Sequence, residues 1–320
     1  MLIGAYAWLR TQPGYSFRNK VVLIAGGSRG LGLALAREAS AQGAKLVLCA
    51  RDAEELDRAR QQIRGDVFTV PCDITNAAQV DSLVNQAIER YGHIDVLVNC
   101  AGIITVGPLE TMTLEDFHQA MDVNYYGPLH TCLAVIPHMK RRGGGRIVNI
   151  ASIGGKISVP HLLPYSGSKF ALVGLSQGLR AELETDGIVV TTICPGLMRT
   201  GSPRNATFKG RNEDEYAWFT ISDSSPLTSM SADRAARQIL DAARRGDAEI
   251  ILSPQAKLAA KMDAIFPEWT SSLLQIATRL LPKPGGIGTR GVPGHQSESR
   301  VTQSPLTAPT REAEVRNNER

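Results

Sequence analysis

Tyr165 and Lys169 stand four residues apart at the start of an apolar run with helical patterning. Residues at that spacing lie on one face of a helix, one turn apart, so phenol and ammonium can point into the same space. A phenol titrating near its ordinary value of about 10 is a poor proton donor or acceptor at neutral pH. Bringing it to about 7 takes a shift of roughly 3 units, or about 4 kcal/mol. A unit charge about 4 Å away, at an effective dielectric of about 20, supplies that much. On this arithmetic one lysine suffices to make an acid–base tyrosine, and Lys169 is expected to lower the Tyr165 pKa.

A second constellation lies near the start of the chain. Gly26, Gly30 and Gly32, with Ser28, Arg29 and Leu31 between them, separate the aliphatic run Lys20–Ala25 from a helix-patterned run, Leu31–Ser40. Glycines at such a turn let the backbone approach a pyrophosphate closely. The following helix N-terminus offers free N–H groups and a positive dipole end. The expectation is a dinucleotide cradle.

Further motifs follow in order: Asn99-Cys100-Ala101-Gly102, then Ser152 thirteen residues before Tyr165, then Pro195-Gly196-Leu197-Met198-Arg199-Thr200. From about residue 18 to about 253 the chain resembles the short-chain dehydrogenase/reductase family. The resemblance implies hydride transfer between a nicotinamide and a carbonyl or secondary alcohol. Tyr165 would be the general acid/base, Lys169 would also hold the nicotinamide ribose, and Ser152 would position the carbonyl oxygen. Asn124 would hold a water linking Lys169 to solvent. Asp73 would meet the adenine amino group, and Asn99, Ala101 and Gly102 would line the adenosine ribose. Pro195, Gly196, Met198 and Thr200 would hold the carboxamide. Two positions depart from the family pattern: Ala25 stands where a threonine is usual, and Cys100 where a second asparagine is common.

Which dinucleotide binds is a question of charge. NAD-preferring relatives carry an acid at the end of the second strand, where this chain has Ala50 followed by Arg51. Arg51 and Arg29 suit a 2′-phosphate, which guanidinium groups bind bidentately. Asp52 reads as a helix N-cap, in a capping box with Glu55. The cofactor expected is NADP(H) in preference to NAD(H).

Aliphatic strand-like runs at Lys20–Ala25, Lys45–Ala50, Asp66–Pro71, Ile94–Val98, Arg146–Ala151, Val189–Cys194 and Glu249–Leu252 alternate with helical patterns. That rhythm predicts an α/β fold, a doubly wound, mainly parallel, Rossmann-type sheet in a single domain. The long helical stretch 114–140 is expected to break at Gly127-Pro128 and at Pro137. Residues 201–230 read as irregular. The boundaries are an N-terminal apolar extension at 1–17, the dinucleotide-binding domain at 18–254, a helical extension at 255–282 and a disordered tail at 283–320. The tail is rich in Gly, Pro, Ser and Thr.

The 320 residues are 43% hydrophobic but only 5% aromatic, which implies an aliphatic core. A net charge of +4 without a long basic block argues against nucleic acid. Five scattered cysteines without a C-x-x-C pair argue against disulfides and zinc, and point to a reducing, cytoplasmic compartment. His118, His130, His138 and His161 make no metal pattern; His161, just before Tyr165, reads as a loop residue, with a substrate-facing position as the alternative. Leu2–Leu9 is too short to span a bilayer. It and the apolar stripe at 257–281 suggest peripheral membrane contact, against the competing reading that the stripe covers the core or a subunit interface. The resemblance implies a homo-oligomer. Val159, Leu162, Leu163, Phe208, Trp218 and Phe219 suggest a hydrophobic substrate. The alternative is a catalytically silent NADP(H)-binding regulatory or scaffold protein.

Overall fold

Val21–Ala25 (β1) is aliphatic throughout and buried along its whole length, the pattern of a strand covered on both faces. It belongs to a computed structural model that describes residues 15–225 and 229–320. The expectations for the N-terminal apolar extension, up to residue 14, lie outside the described residues. Six more strands share the sheet: Lys45–Ala50 (β2), Val67–Pro71 (β3), Val96–Asn99 (β4), Gly145–Ile150 (β5), Ile188–Cys194 (β6) and Glu249–Ile251 (β7). Their order is β7-β6-β5-β4-β1-β2-β3, with every pairing parallel. The order reverses between β1 and β4, and beyond the carboxyl ends of these strands a doubly wound sheet opens its crevice.

Helices cover both faces. Gly30–Ala41 (α1) and Ala232–Arg245 (α8) pack Leu33, Leu35, Ile239 and Leu240 onto one side. Ala77–Tyr91 (α3) and Gly127–Arg141 (α5) bury Leu83, Val84, Cys132 and Val135 on the other. Ala53–Gln61 (α2) starts from Asp52, whose carboxylate accepts the Glu55 N–H at 2.9 Å. The cap is present, but the box does not close, because the Glu55 carboxylate turns to Ser28 and Arg29.

The stretch 114–140 is less broken than its prolines suggest. Leu114–Met121 (α4) passes through a π-helical turn, Asp122–Tyr126, into α5, which continues through Pro137. Pro128 follows directly on the π-helical turn, where the hydrogen-bond ladder already shifts register, as in the bond from the Gly127 N–H to the Asp122 carbonyl, so the proline falls at the point of the helix that is rearranged in any case. Leu163–Glu182 (α6) also carries a proline at its start, Pro164.

Three expectations are corrected. Of the stretch 201–230, expected to be irregular, the described residues form regular elements: Ser202–Asn205 a short turn and Asn212–Ser224 a helix (α7). Three acids in its first turn and its buried Glu215 mask the apolar face. The stripe at 257–281 does form two helices, Pro254–Ile265 (α9) and Pro267–Thr278 (α10), broken at Pro267. It does not cover the core of this chain, since no residue of α10 is buried and Trp269 is 62% exposed. Among the described residues no helix is long and apolar enough to cross a membrane.

The third correction concerns 283–320, which is ordered. Val292–Pro293 pairs antiparallel with Thr207–Phe208, itself parallel to Thr105–Val106, and Ala308–Arg316 forms a helix (α11). Thr310 on α11 meets Ser224 of α7 at 2.6 Å between hydroxyl oxygens. Thr307, Thr310, Glu314, Asn317, Asn318 and Glu319 are all buried. Composition reports whether a segment can build a core of its own; it is silent on whether the segment fits polar groups that another part of the chain presents.

Candidate active site

Ser152, Tyr165 and Lys169 line the same crevice as Gly26, Gly30 and Gly32, an opening of about 840 Å³ beyond the carboxyl ends of the central strands. Each is fixed by its element. Ser152 follows β5 and caps a 3₁₀ turn, its Oγ accepting the Gly154 N–H at 3.0 Å. Tyr165 and Lys169 sit one turn apart at the start of α6. Lys169 Nζ lies 5.7 Å from the Tyr165 ring centroid and donates to the Ile150 carbonyl at 3.0 Å.

The electrostatics differ from the one-lysine expectation. Burial pushes the Tyr165 phenol up to about 12; the Ser152 hydroxyl pulls it down, while Asp223 and Cys194 push it further up. Burial also brings the Lys169 ammonium down to about 8, opposed by Cys100 and Cys194. Both shifts share a cause, since a dehydrated recess penalises whichever form carries charge. In this state Tyr165 is a protonated donor at neutral pH.

The glycine turn has the tightness a cradle needs. A Cβ on Gly32 would fall 1.9 Å from the Gly26 carbonyl oxygen, and one on Gly26 would fall 2.6 Å from the Ala101 Cα. Gly26 itself has φ +80°, in the left-handed region that glycine enters without strain. Ser28, Arg29, Leu31, Arg51, Asp73, Ala101, Gly102, Pro195, Gly196 and Met198 join the lining. Arg51 is exposed, and Arg29 is 3.0 Å from Glu55 and 3.2 Å from Asn205. Asp73 accepts both the N–H and the hydroxyl of Thr75.

Three expected residues lie off the crevice wall. Asn99 is buried behind it, donating to Asn149 at 2.9 Å and accepting the Thr131 hydroxyl at 2.6 Å, so it ties strands and helix together. Thr200 is buried against the Ser202 hydroxyl. Asn124, in the π-helical turn, spends its amide on the Ile103 backbone N–H and carbonyl and on the Ser168 hydroxyl. A Cβ on Gly102 would stand 3.1 Å from Asn124 Oδ1 and 3.5 Å from Lys169 Nζ, so that glycine keeps the two near one another.

The apolar loop residues are also redistributed. Leu162, Phe208 and Phe219 form a buried cluster with Val106 and Tyr216, against which Val159, Tyr165 and Trp218 pack. They are the core of a lobe beside the crevice, whose own apolar wall comes from Ile103, Ile104, Val123, Met198 and Ala206. His161 is buried, with Nδ1 2.8 Å from Glu215 Oε1, and the other Glu215 oxygen accepts the Trp218 indole N–H at 2.6 Å. That bridge positions the lobe, in agreement with the structural reading of His161. Ser202, Asn205, Thr207 and Glu319 on the wall had no signal in the sequence, and neither had Asp223, whose carboxyl burial pushes up to about 8.

Comparison with known proteins gives one consistent result. The family profile described as short chain dehydrogenase matches residues 20–209. The chain is 33% identical over 270 residues to the dehydrogenase/reductase SDR family member 7B of Bos taurus, covering 81% of each chain. It is 36% identical over 251 residues to a dehydrogenase/reductase SDR family protein 7-like of Anopheles gambiae, covering 76% of this chain and 77% of that one. Among solved structures, a short-chain dehydrogenase from Streptomyces avermitilis superposes with a TM-score of 0.71 at 30% identity, over 82% of this chain and all of that one. A gluconate 5-dehydrogenase from Burkholderia cenocepacia, in complex with NADP and tartrate, gives 0.66 at 28% identity, over 75% and 97%.

Proposed function

The chain belongs to the short chain dehydrogenase family, and on that premise we propose that it is an NADP(H)-dependent oxidoreductase in which Tyr165 exchanges the proton with an apolar ketone or secondary alcohol. The family assignment makes it an oxidoreductase acting on CH–OH or C=O groups with a nicotinamide cofactor. The observation that carries the finer reading is the convergence of Ser152, Tyr165 and Lys169 on the crevice that begins at the glycine turn. A bound nicotinamide would supply or accept the hydride. The chain's own residues do the rest.

Ser152 Oγ donates to the carbonyl oxygen and orients it, a neutral polarising contact. Tyr165 Oη delivers its proton to the same oxygen as negative charge develops there. A phenol held protonated by burial is already in the form that reduction requires. Lys169, buried and still mostly charged at neutral pH, offers its ammonium toward the ribose side of the crevice. Ile103, Ile104, Val123 and Met198 on the wall favour an apolar substrate body.

Preference for NADP(H) rests on Ala50, Arg51 and Arg29. Glu55 competes for Arg29, so the exposed Arg51 carries more of the argument. A hydrogen bond to a charged group is worth about 1.5–3 kcal/mol, so catalytic efficiency with NADPH is expected to exceed that with NADH by about tenfold or more. Arg51→Ala should bring the two together. The measurement is dinucleotide consumption over a panel of carbonyl compounds graded from polar to apolar, with Tyr165→Phe as control. A preference for NADH sinks the charge argument, and uniform inactivity of the unaltered protein sinks the catalytic one.

A further inference from the structure

The segment that follows α11 runs across the glycine turn and puts Glu319 on the crevice wall. Asn317 places its backbone carbonyl on the Gly30 N–H at 2.9 Å. That N–H belongs to the first turn of α1, one of the free donors a pyrophosphate would take. Asn318, with φ +59°, donates its side-chain amide to the carbonyls of Ser28 and Glu55 at 2.9 and 3.0 Å and accepts from Arg58 at 3.2 Å. Glu319 reaches the Gly201 N–H with its carboxylate and lines the crevice beside Ser202 and Asn205. A Cβ on Gly30 would stand 3.0 Å from Glu319 Oε1. A carboxyl group therefore sits against the glycine turn at the N-terminal end of α1, in the place that phosphate oxygens would take.

We propose that residues 317–319 are a removable plug that competes with the dinucleotide for the glycine-turn end of the crevice. The proposal rests on the nucleotide reading of that crevice and adds its regulation. One N–H cannot serve two acceptors fully, and a bound pyrophosphate needs the Gly30 donor that Asn317 now holds. The residues flanking the plug tether it: Arg37 donates to the Arg316 carbonyl at 2.5 Å, and Arg316 lies 3.5 Å from Asp233.

The contacts are of a kind that can be exchanged. Among the described residues of α11 and the plug, Ala313 is the one buried apolar side chain. The rest of the hold is polar, and phosphate oxygens or water can replace such bonds one for one. The docked state also carries costs. Burial pushes the Glu319 carboxyl up to about 8 against the pull of the Gly201 N–H and Arg29. Asn317 Oδ1 is buried with no hydrogen-bond partner among the described residues.

When only the undocked fraction is competent, the apparent dissociation constant rises by the inverse of that fraction. A plug docked about nine times in ten would thus weaken dinucleotide binding about tenfold. The test uses the full chain in two measurements. First, NADPH and NADH titrations by nucleotide fluorescence compare the unaltered protein with the double variant Asn318→Ala/Glu319→Ala and with Glu319→Gln alone. The double variant is expected to bind about tenfold more tightly, and Glu319→Gln, which keeps Asn318 and the shape of the plug, to bind within about threefold of the unaltered protein; tightening as large as the double variant's would overturn the part given to Asn318. Second, hydrogen exchange on the unaltered protein follows the amides of 313–319, which should lose protection as NADPH saturates. Unchanged or weaker affinity in a folded double variant overturns the plug and leaves the cofactor reading standing. Protection of 313–319 that persists at saturation does the same. Failure of all three proteins to bind either dinucleotide overturns both.

Discussion

Tyr165→Phe is expected to lower kcat by about a thousandfold or more while dinucleotide affinity changes by less than about threefold. A positioned general acid contributes roughly 10²–10⁴ in rate, and this variant removes the only phenol on the crevice wall among the described residues. The ring would stay. Gly154 packs so closely that a Cβ on it would come within 3.2 Å of the tyrosine ring, and phenylalanine fills the same outline. Only the hydroxyl is lost, beside the Ser152 hydroxyl that favours its ionised form, and the loss of one hydrogen-bonding group costs about 1 kcal/mol of stability. The measurements are steady-state kcat with NADPH and a carbonyl substrate, a fluorescence titration of NADPH, and a thermal melt to show an intact fold. Residual turnover within about tenfold of the unaltered protein would remove Tyr165 from its role. A large loss of dinucleotide affinity would instead make it a binding residue.

How much of this could be read from the chain depends on how local each cause is. The seven strands were legible because a parallel strand buried on both faces needs an unbroken aliphatic run, and Val21–Ala25 or Lys45–Leu48 can be little else. The Tyr165–Lys169 pair and the glycine turn were legible because fixed short spacings on a helix or a tight turn decide where groups point. Helix α7 was not, because acids at Glu213, Asp214 and Glu215 look like a solvated segment until His161, from a distant loop, and Trp218, one turn along the same helix, are seen to take up the carboxylate of the last of them. Asn99 and Thr200 stand in motifs expected to line the cofactor, yet both side chains are buried off the crevice wall, Asn99 at the end of β4 against Asn149 and Thr131, and Thr200 in the turn before Ser202. The ordering of 283–320 was invisible for a related reason. Its partners are Thr207, Ser224, Ser28 and Gly30, brought together only by the fold. The titration of Tyr165 and Lys169 went astray because spacing reports proximity, while dehydration depends on everything packed around the pair.

Lys169→Met turns that dehydration into a second large effect, with function and stability moving in opposite directions. Turnover should fall by about a thousandfold or more, since the variant removes the one ammonium beside Tyr165 among the described residues. Stability should hold or rise. The folded state lowers the Lys169 pKa from 10.5 to about 8, so below about pH 8 folding forces a charge into a dry site. Two and a half units correspond to a cost of roughly 3 kcal/mol. Between about pH 8 and 10.5 the unfolded chain keeps a proton that the folded one has released, so this cost shrinks as pH rises and is gone above the window. Methionine avoids the cost but leaves the Ile150 carbonyl without its donor, a loss of about 1–3 kcal/mol. At pH 7 the two nearly cancel or favour the variant by up to about 2 kcal/mol; at pH 10 the cost has fallen to about 1 kcal/mol or less, the loss prevails, and the variant becomes the less stable protein. Every other titrating group is common to both, so the difference between their unfolding free energies in urea at the two pH values isolates Lys169. A difference that does not change with pH would mean that the ammonium is hydrated in the folded state. A steep loss of stability at pH 7 would mean that the fold depends on its charge. The expected reversal would show that this site keeps a buried cation against its own stability, which is sensible only where the charge has work to do.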